Sequence, residues 1–329
     1  MKCCKLLLLV LVITMAGNID ATTKAVKPGD NLYSILRKSA AKDTILLQSG
    51  QYKIDKTITL ANNLVIIGDS ESKPVITWGT ITVDSSTKDI VLENLKIILD
   101  RKYFIQITGN KDIDLDNIIF RNCIIDLNTV GATLLMNNAT GSKNRLANYT
   151  IENSMVHNVM VPSHGLLNFT TDNHPRVDHI SLINSTFSNF SRGLMFCKQL
   201  VSQSSVNVSN CTFYNINTSN NNSGLFRCSV GQVDINVEKS IFHFSGDKTK
   251  FIVLGEEGKA KVIDSYRTSE LTTIVSSRGL RITQSTANDL FESPNDTPCV
   301  QSCSFFIKDK SLSDLHIGDP RWFKKQTLK

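Results

Sequence analysis

Beyond its first 21 residues the 329-residue chain has no apolar run approaching the ~18 to 20 residues of a membrane helix, which argues against a membrane span. It also lacks a long basic run. Its 36 Lys plus Arg against 30 Asp plus Glu give a formal net charge of +6, mild for this length, and nucleic acid is not favoured as a partner. That excess suits an acidic polymer, and surface solubility explains it equally well. The cysteines after residue 21 (Cys123, Cys197, Cys211, Cys228, Cys299 and Cys303) match no zinc spacing, so they give no metal site. A single compact core is also disfavoured, because such cores stop growing at about 250 to 300 residues.

What is present begins with an export signal. Lys2 and Lys5 precede an apolar stretch from Leu6 to about Ala16, and residues 1–21 read as a signal peptide cleaved after Ala16 or Ala21. Cys3 and Cys4 lie before the apolar stretch, where a lipid-modified cysteine is not found. The expected location is secreted or extracytoplasmic, in a periplasm or at a cell surface.

The strongest signal is an internal repeat. Short alternating runs end in a small or amide polar pair at Asn94, Asn122, Asn153, Asn184, Asn210, Lys239, Asp264 and Gln284, which are 28, 31, 31, 26, 29, 25 and 20 residues apart. Strand-like alternation on a period of this length fits the coil of a β-helix better than a helical hairpin. A second strand follows in several coils, opened by Gly131, Gly165, Gly193 or Gly224, and a third is expected from the remaining coil length. Alternation as in Val206-Asn-Val208 places aliphatic side chains inward and polar ones outward. Phe187, Phe213 and Phe242 share one repeat position and are expected to form an interior stack.

The expected organisation is a cap-helix region over 22–43, coils over 44–290 and a closing segment over 291–329. In the cap, Leu32, Ile35 and Leu36 fall at helical spacing behind Asp30, which can cap the first turn. A helix there covers the open end of the first coil. Asn at the coil turn tolerates tight backbone geometry and can bond to its neighbour above. Turn chemistry therefore explains most of the ten Asn-x-Ser/Thr sequences without glycans. Cys197 and Cys228 end parallel phrases one coil apart, and a coil spacing of about 4.8 Å lies within disulfide range. Two readings stay open for them, a bridge or two thiols packed inside. Cys299 and Cys303 could close a tight loop.

The opening phrases Lys27-Pro-Gly-Asp30, Asp43-Thr-Ile-Leu-Leu47, Gly50-Gln-Tyr52 and Leu64-Val-Ile-Ile-Gly68 resemble the first coils of pectate lyase-like proteins, chondroitinase B and alginate lyases. The closing phrases, ending in Gly318-Asp-Pro-Arg-Trp322, resemble a group of exported Bacteroidota β-helix proteins without an assigned activity. The resemblance implies an all-β, right-handed parallel β-helix, a pectate lyase-like solenoid that engages polysaccharide, often acidic. It also implies calcium in some members, though no calcium site is identified in this sequence. The Lys-Ser and Arg-His-Gly phrases of the lyases are missing: Lys239-Ser240 falls at a coil turn, and Ser163-His-Gly165 lacks the arginine. The Asp-Asp and Gly-His-Gly phrases of polygalacturonase-like hydrolases are missing too.

Eliminative cleavage needs a cation to hold the developing carboxylate charge and a base to take the α-proton. Arg192, Lys198, Arg227 and Lys250 surround the second strand in successive coils, as a basic stripe would. On this reading Arg227 is the charge stabiliser, Lys198 or Lys250 the base, and Arg192 and Tyr214 contact substrate. Tyr103, Tyr149 and Trp78 are further candidates for stacking on sugar rings. His157, His164, His174 and His179 are expected in surface loops rather than as metal ligands. Two functions follow: a polysaccharide-interacting protein acting as a lyase on an acidic glycan, or a non-catalytic glycan-binding or adhesion solenoid.

Overall fold

The computed structural model describes residues 22–69, 72–108, 112–127, 133–137, 144–159, 165–169, 176–191, 193–197, 203–217, 224–229, 231–246, 249–270, 279–293 and 304–323. Three parallel sheets form the walls of a right-handed β-helix. Sheet 1 has ten strands, from Thr23–Val26 to Lys259–Ile263; sheet 2 has ten, from Gln51–Ile54 to Arg281–Ile282; sheet 3 has eight, from Ile58–Leu60 to Lys250–Leu254. Each full coil thus carries the expected third strand.

Alternation stacks like residues on like. In sheet 1, Ile45, Ile66, Leu92, Phe120, Ile151, Leu182, Val208 and Val237 occupy one continuous inward row, all buried. In sheet 2 the rings of Phe187, Phe213 and Phe242 stack nearly parallel, with centroids 4.9 and 4.7 Å apart. That separation equals the strand spacing, so one ring per coil fills the row. Trp78 and Tyr149 also lie inside, fully buried, which corrects their assignment to sugar stacking.

The turn from sheet 1 to sheet 2 explains the repeat. Seven of the eight marked positions have left-handed backbone: Asn94, Asn122, Asn153, Asn184, Asn210, Lys239 and Asp264, with φ between 43° and 56°. Asn and Asp tolerate that region best among residues with a side chain. The next residue in each turn is buried, and Cys123, Ser154, Ser185, Cys211, Ser240 and Ser265 build a ladder there. Each side chain donates to the carbonyl two residues back, as Ser154 Oγ does to Glu152 (2.7 Å) and Cys211 Sγ to Ser209 (3.3 Å). The serine oxygens accept buried backbone N–H groups from the preceding coil, Cys123 to Ser154 at 3.0 Å and Cys211 to Ser240 at 3.1 Å. Cys123 and Cys211 are therefore serine substitutes in a hydrogen-bonded ladder. Burial pushes the Cys123 thiol up to about 12 and Cys211 in the same direction.

The glycines that open sheet 3 strands have a packing reason. A Cβ on Gly193 would sit 2.2 Å from the Gly224 carbonyl oxygen of the next coil. At the start of the solenoid, Thr23–Val26 forms the first strand of sheet 1 within the expected cap region, and helix α1 (Leu32–Lys38) follows. Asn31 caps it rather than Asp30, accepting from the Ser34 N–H at 2.9 Å. Leu32 and Leu36 close the interior.

The closing segment does not stop at the end of the solenoid. It turns back along the outer face of sheet 2 through Ala287–Leu290, a hairpin of Phe291–Ser293 with Ser304–Ile307, and Lys310–Asp314. A second apolar cluster forms outside the helix, where Tyr214 and Ile241 of sheet 2 meet Phe291, Phe305 and Ile307, with Trp322 packed against them. The Gly-Asp-Pro-Arg-Trp phrase is the clasp of this strap. Gly318 donates to the Lys239 carbonyl (2.7 Å), and fully buried Asp319 accepts from Thr186 Oγ1 (2.6 Å) and pairs with Arg321. Arg321 in turn donates to the carbonyls of Asn153 (2.9 Å) and Ser154 (2.7 Å), and the Trp322 indole donates to Thr186. No described helix is long and apolar enough to cross a membrane.

Candidate functional site

With the interior filled, only outward rows are left to meet a ligand. On sheet 3 the outward row runs Thr59, Thr82, Gln106, Met136 and Asn168 and, one coil beyond the backbone position of residue 196, Arg227 and Val253. Arg227 is half-buried, and its Nε donates to Ser229 Oγ at 3.2 Å. Lys250 is on the same sheet but pairs with Gly224, whereas Arg227 pairs with Val253. Three residues of strand, about 10 Å, separate their levels. Lys250 is therefore not on the rung of Arg227. Asn168 is fully buried in the same row, with neither amide atom hydrogen-bonded.

The remaining expected residues divide. Lys198 and Arg192 lie outside the described residues, as do Cys299, Cys303, His164 and His174. Tyr214 is only 5% exposed beneath the strap, against Phe291 and Phe305, which corrects its assignment as a substrate contact. The backbone register sets Cys228 opposite Cys197, and Cys228 is a buried free thiol, which corrects the bridge reading. Tyr103 keeps part of its surface, with Lys102 Nζ 5.2 Å from its ring centre.

His157 departs from the loop expectation. It sits within the sheet 2 strand Met155–Val159, fully buried, with Nδ1 2.5 Å from Ser188 Oγ and Nε2 without a partner. Burial first, and the Arg321 charge second, push it down to about 4. Asp126, His157 and Ser188 follow one another in register, but both His157 and Ser188 are sealed from solvent, so the row offers no nucleophile to a substrate. His179 by contrast is exposed on sheet 1, 2.8 Å from Ser205 Oγ.

Sheet 1 presents the bare face. In its earlier coils the outward charges satisfy one another: Arg121 bridges Glu93 (3.3 Å) and Glu152 (3.0 Å), and Arg145 bridges Asp114 (3.3 Å) and Asp178 (2.7 Å). Partial burial opposes the Asp178 charge, yet hydrogen bonds from Arg176 and Arg145 hold its carboxyl below the ordinary range. Among the described residues no group of three His, Cys, Asp or Glu could hold a metal. These acids are committed to arginines, so the residues described do not fit calcium, and no chemistry is assigned to it.

Later in sheet 1 the outward rows mix amides and hydroxyls with Asp234, Glu238, Lys259 and Lys261. Asn207, Ser209, Asn236, Glu238, Lys261 and Ile263 line an open depression of about 290 Å³. The asparagines lie three residues before Asn210 and Lys239, and Lys261 three before Asp264. A fixed offset from each turn was therefore the available sequence signal.

No family model matches the chain, and no curated protein matches it. Among solved structures it is similar to an arginine-to-alanine mutant of the PL6 family alginate lyase AlyGC, at 15% identity and a TM-score of 0.52, over 81% of this chain and 39% of that one. Another structure of the same lyase aligns at 15% identity with a TM-score of 0.42, over 80% of this chain and 40% of that one. The chain thus spans about two fifths of the lyase's length. At this identity the likeness concerns the fold alone, a parallel β-helix.

Proposed function

We propose that this is an exported protein that engages polysaccharide through the outer faces of its solenoid, with an acidic glycan as the favoured class. The observation that carries the reading is Arg227, a half-buried cation facing outward from sheet 3 and steadied by Ser229, on the fold that an alginate lyase uses. A guanidinium so placed suits a uronate carboxylate, whose geometry it matches with two parallel bonds. In a lyase the same contact would stabilise the charge that develops when the α-proton leaves, and Lys198 would be the base.

Non-catalytic binding is the second reading, favoured by Lys250 lying about 10 Å along the sheet from the level of Arg227. Incubation of the mature protein with alginate, polygalacturonate and chondroitin, with and without calcium, separates the two. A steady rise in unsaturated product that Arg227→Ala abolishes supports the lyase. Saturable binding without product supports the binder, and neither binding nor product removes the polysaccharide reading.

A further inference from the structure

The depression on sheet 1 lies on a different wall from Arg227, and along its central row the side chains change from apolar to polar. In row order, Val91 and Ile119 give way to Thr150, Ser181, Asn207, Asn236 and Lys261. The last three are exposed. Upstream, carboxylates and guanidiniums neutralise one another; here Lys261 forms no ion pair among the described residues, and Glu238 accepts from Ser209 Oγ at 2.9 Å. Asn236 Nδ2 donates to Asn207 Oδ1 at 3.3 Å, which sets both amide planes along the row. Ile263, 40% exposed, adds an apolar edge.

We infer that this row is a binding track for a uronate-containing oligosaccharide running along the solenoid axis, across Asn207, Asn236 and Lys261. The inference rests on the polysaccharide reading above and adds a site, a direction and a charge. Coils repeat every ~4.8 Å, close to the length of one pyranose residue in an extended chain, so consecutive sugars meet consecutive coils in the same way. Asn207 and Asn236 offer both donors and acceptors to ring hydroxyls. Lys261 is a point cation that receives a carboxylate, while Glu238, one row away, accepts hydroxyls and repels a carboxylate from that side. The apolar edge at Ile263 faces the C–H surface of the sugar. Asn117 and Asn148 align their amides upstream as well, at 3.1 Å, but that row starts from the Asp89 carboxylate, whereas this one ends at a lysine without an ion pair among the described residues.

The test titrates the mature protein by calorimetry with hexauronates prepared from alginate and from polygalacturonate, with cellohexaose as the neutral probe. Lys261→Ala is expected to weaken hexauronate binding about tenfold or more, the loss of one charge-assisted hydrogen bond, and to flatten its salt dependence. Asn236→Ala is expected to weaken it by several-fold, and the charge-matched Lys53→Ala on sheet 2 not to change it. Hexauronate binding that is unchanged in Lys261→Ala and Asn236→Ala overturns the track while leaving the polysaccharide reading in place. Cellohexaose bound as tightly as hexauronate overturns the assigned charge. No binding of any polysaccharide by the unaltered protein overturns both the track and the reading beneath it.

Discussion

The outer faces of sheets 1 and 2 are built from the same alternating strands over the same interior, yet they meet opposite environments. Where the strap lies on sheet 2, the outward residues turn apolar or uncharged: Met155, Thr186, Thr212, Tyr214 and Ile241. Ahead of the strap the same sheet presents exposed Gln51 and Lys53. Sheet 1 stays polar through its later coils, with paired charges followed by aligned amides. In a solenoid the inward rows report only stability, and the outward rows report what lies against them. By that criterion sheet 2 is written for its own chain and the later coils of sheet 1 for water or a hydrophilic ligand.

The sharpest way to break this contrast is to release the strap. Arg321→Ala leaves the buried Asp319 carboxylate without its guanidinium, removes the side-chain donor to the Asn153 carbonyl, and leaves the Ser154 carbonyl only its bond from the Thr186 N–H. Breaking a buried pair from one side costs about 3–5 kcal/mol, read as a lower urea midpoint. An unchanged midpoint would mean that the strap lies on sheet 2 without stabilising it.

Acid tests the same region next. His157 faces Ser188 on the next coil and Asp126 on the one before, with the Arg321 charge of the strap nearby. Its value in the fold is depressed from 6.5 to about 4, so the unfolded chain binds the proton first as pH falls. The stabilisation is complete above pH 6.5 and is lost as pH falls through about 4, a loss of roughly 3 kcal/mol. Urea titrations across that range should slope in the unaltered protein and flatten in His157→Gln. Equal slopes would remove His157 from the account.

The turn ladder beneath both faces gives a smaller effect. Ser185→Ala removes the acceptor of the buried Ser154 N–H, at about 1–3 kcal/mol. Cys211→Ser keeps both the donation to Ser209 and the place in the ladder, and should cost much less in the same measurement. A large loss in Cys211→Ser would mean that the sulfur is held by packing rather than by its bonds.

How far the sequence carried the structure follows from the range of each interaction. The turns were legible because left-handed backbone selects Asn locally, and seven of the eight marked positions adopt it. The phenylalanine stack was legible because equal offsets from the turn put Phe187, Phe213 and Phe242 in one row. Single aromatics carry no such repeat: Trp78, Tyr149 and Tyr214 look like surface candidates until their strands are paired. The strap was legible as a phrase and not as a place, since Arg321 meets Asn153 from 168 residues away. The basic stripe failed at Lys250 because coils differ in length, and nearness to a strand in sequence does not assign a rung.

The smallest expected effect decides what the sheet 1 face is. If the amides of Asn207 and Asn236 serve a ligand, their removal leaves interior, ladder and strap untouched, and Asn207→Ala with Asn236→Ala should shift stability by no more than about 0.5 kcal/mol per site. The turn asparagines differ, because their backbone is left-handed and Asn94 also donates to the Gly68 carbonyl at 3.2 Å. Asn207 and Asn236 instead lie in regular strand and are exposed, so alanine meets no strain there. A loss of stability comparable to that of Ser185→Ala would make their alignment another structural ladder. The two outer faces would then differ only in what covers them, and the polar row would lose its claim on a ligand.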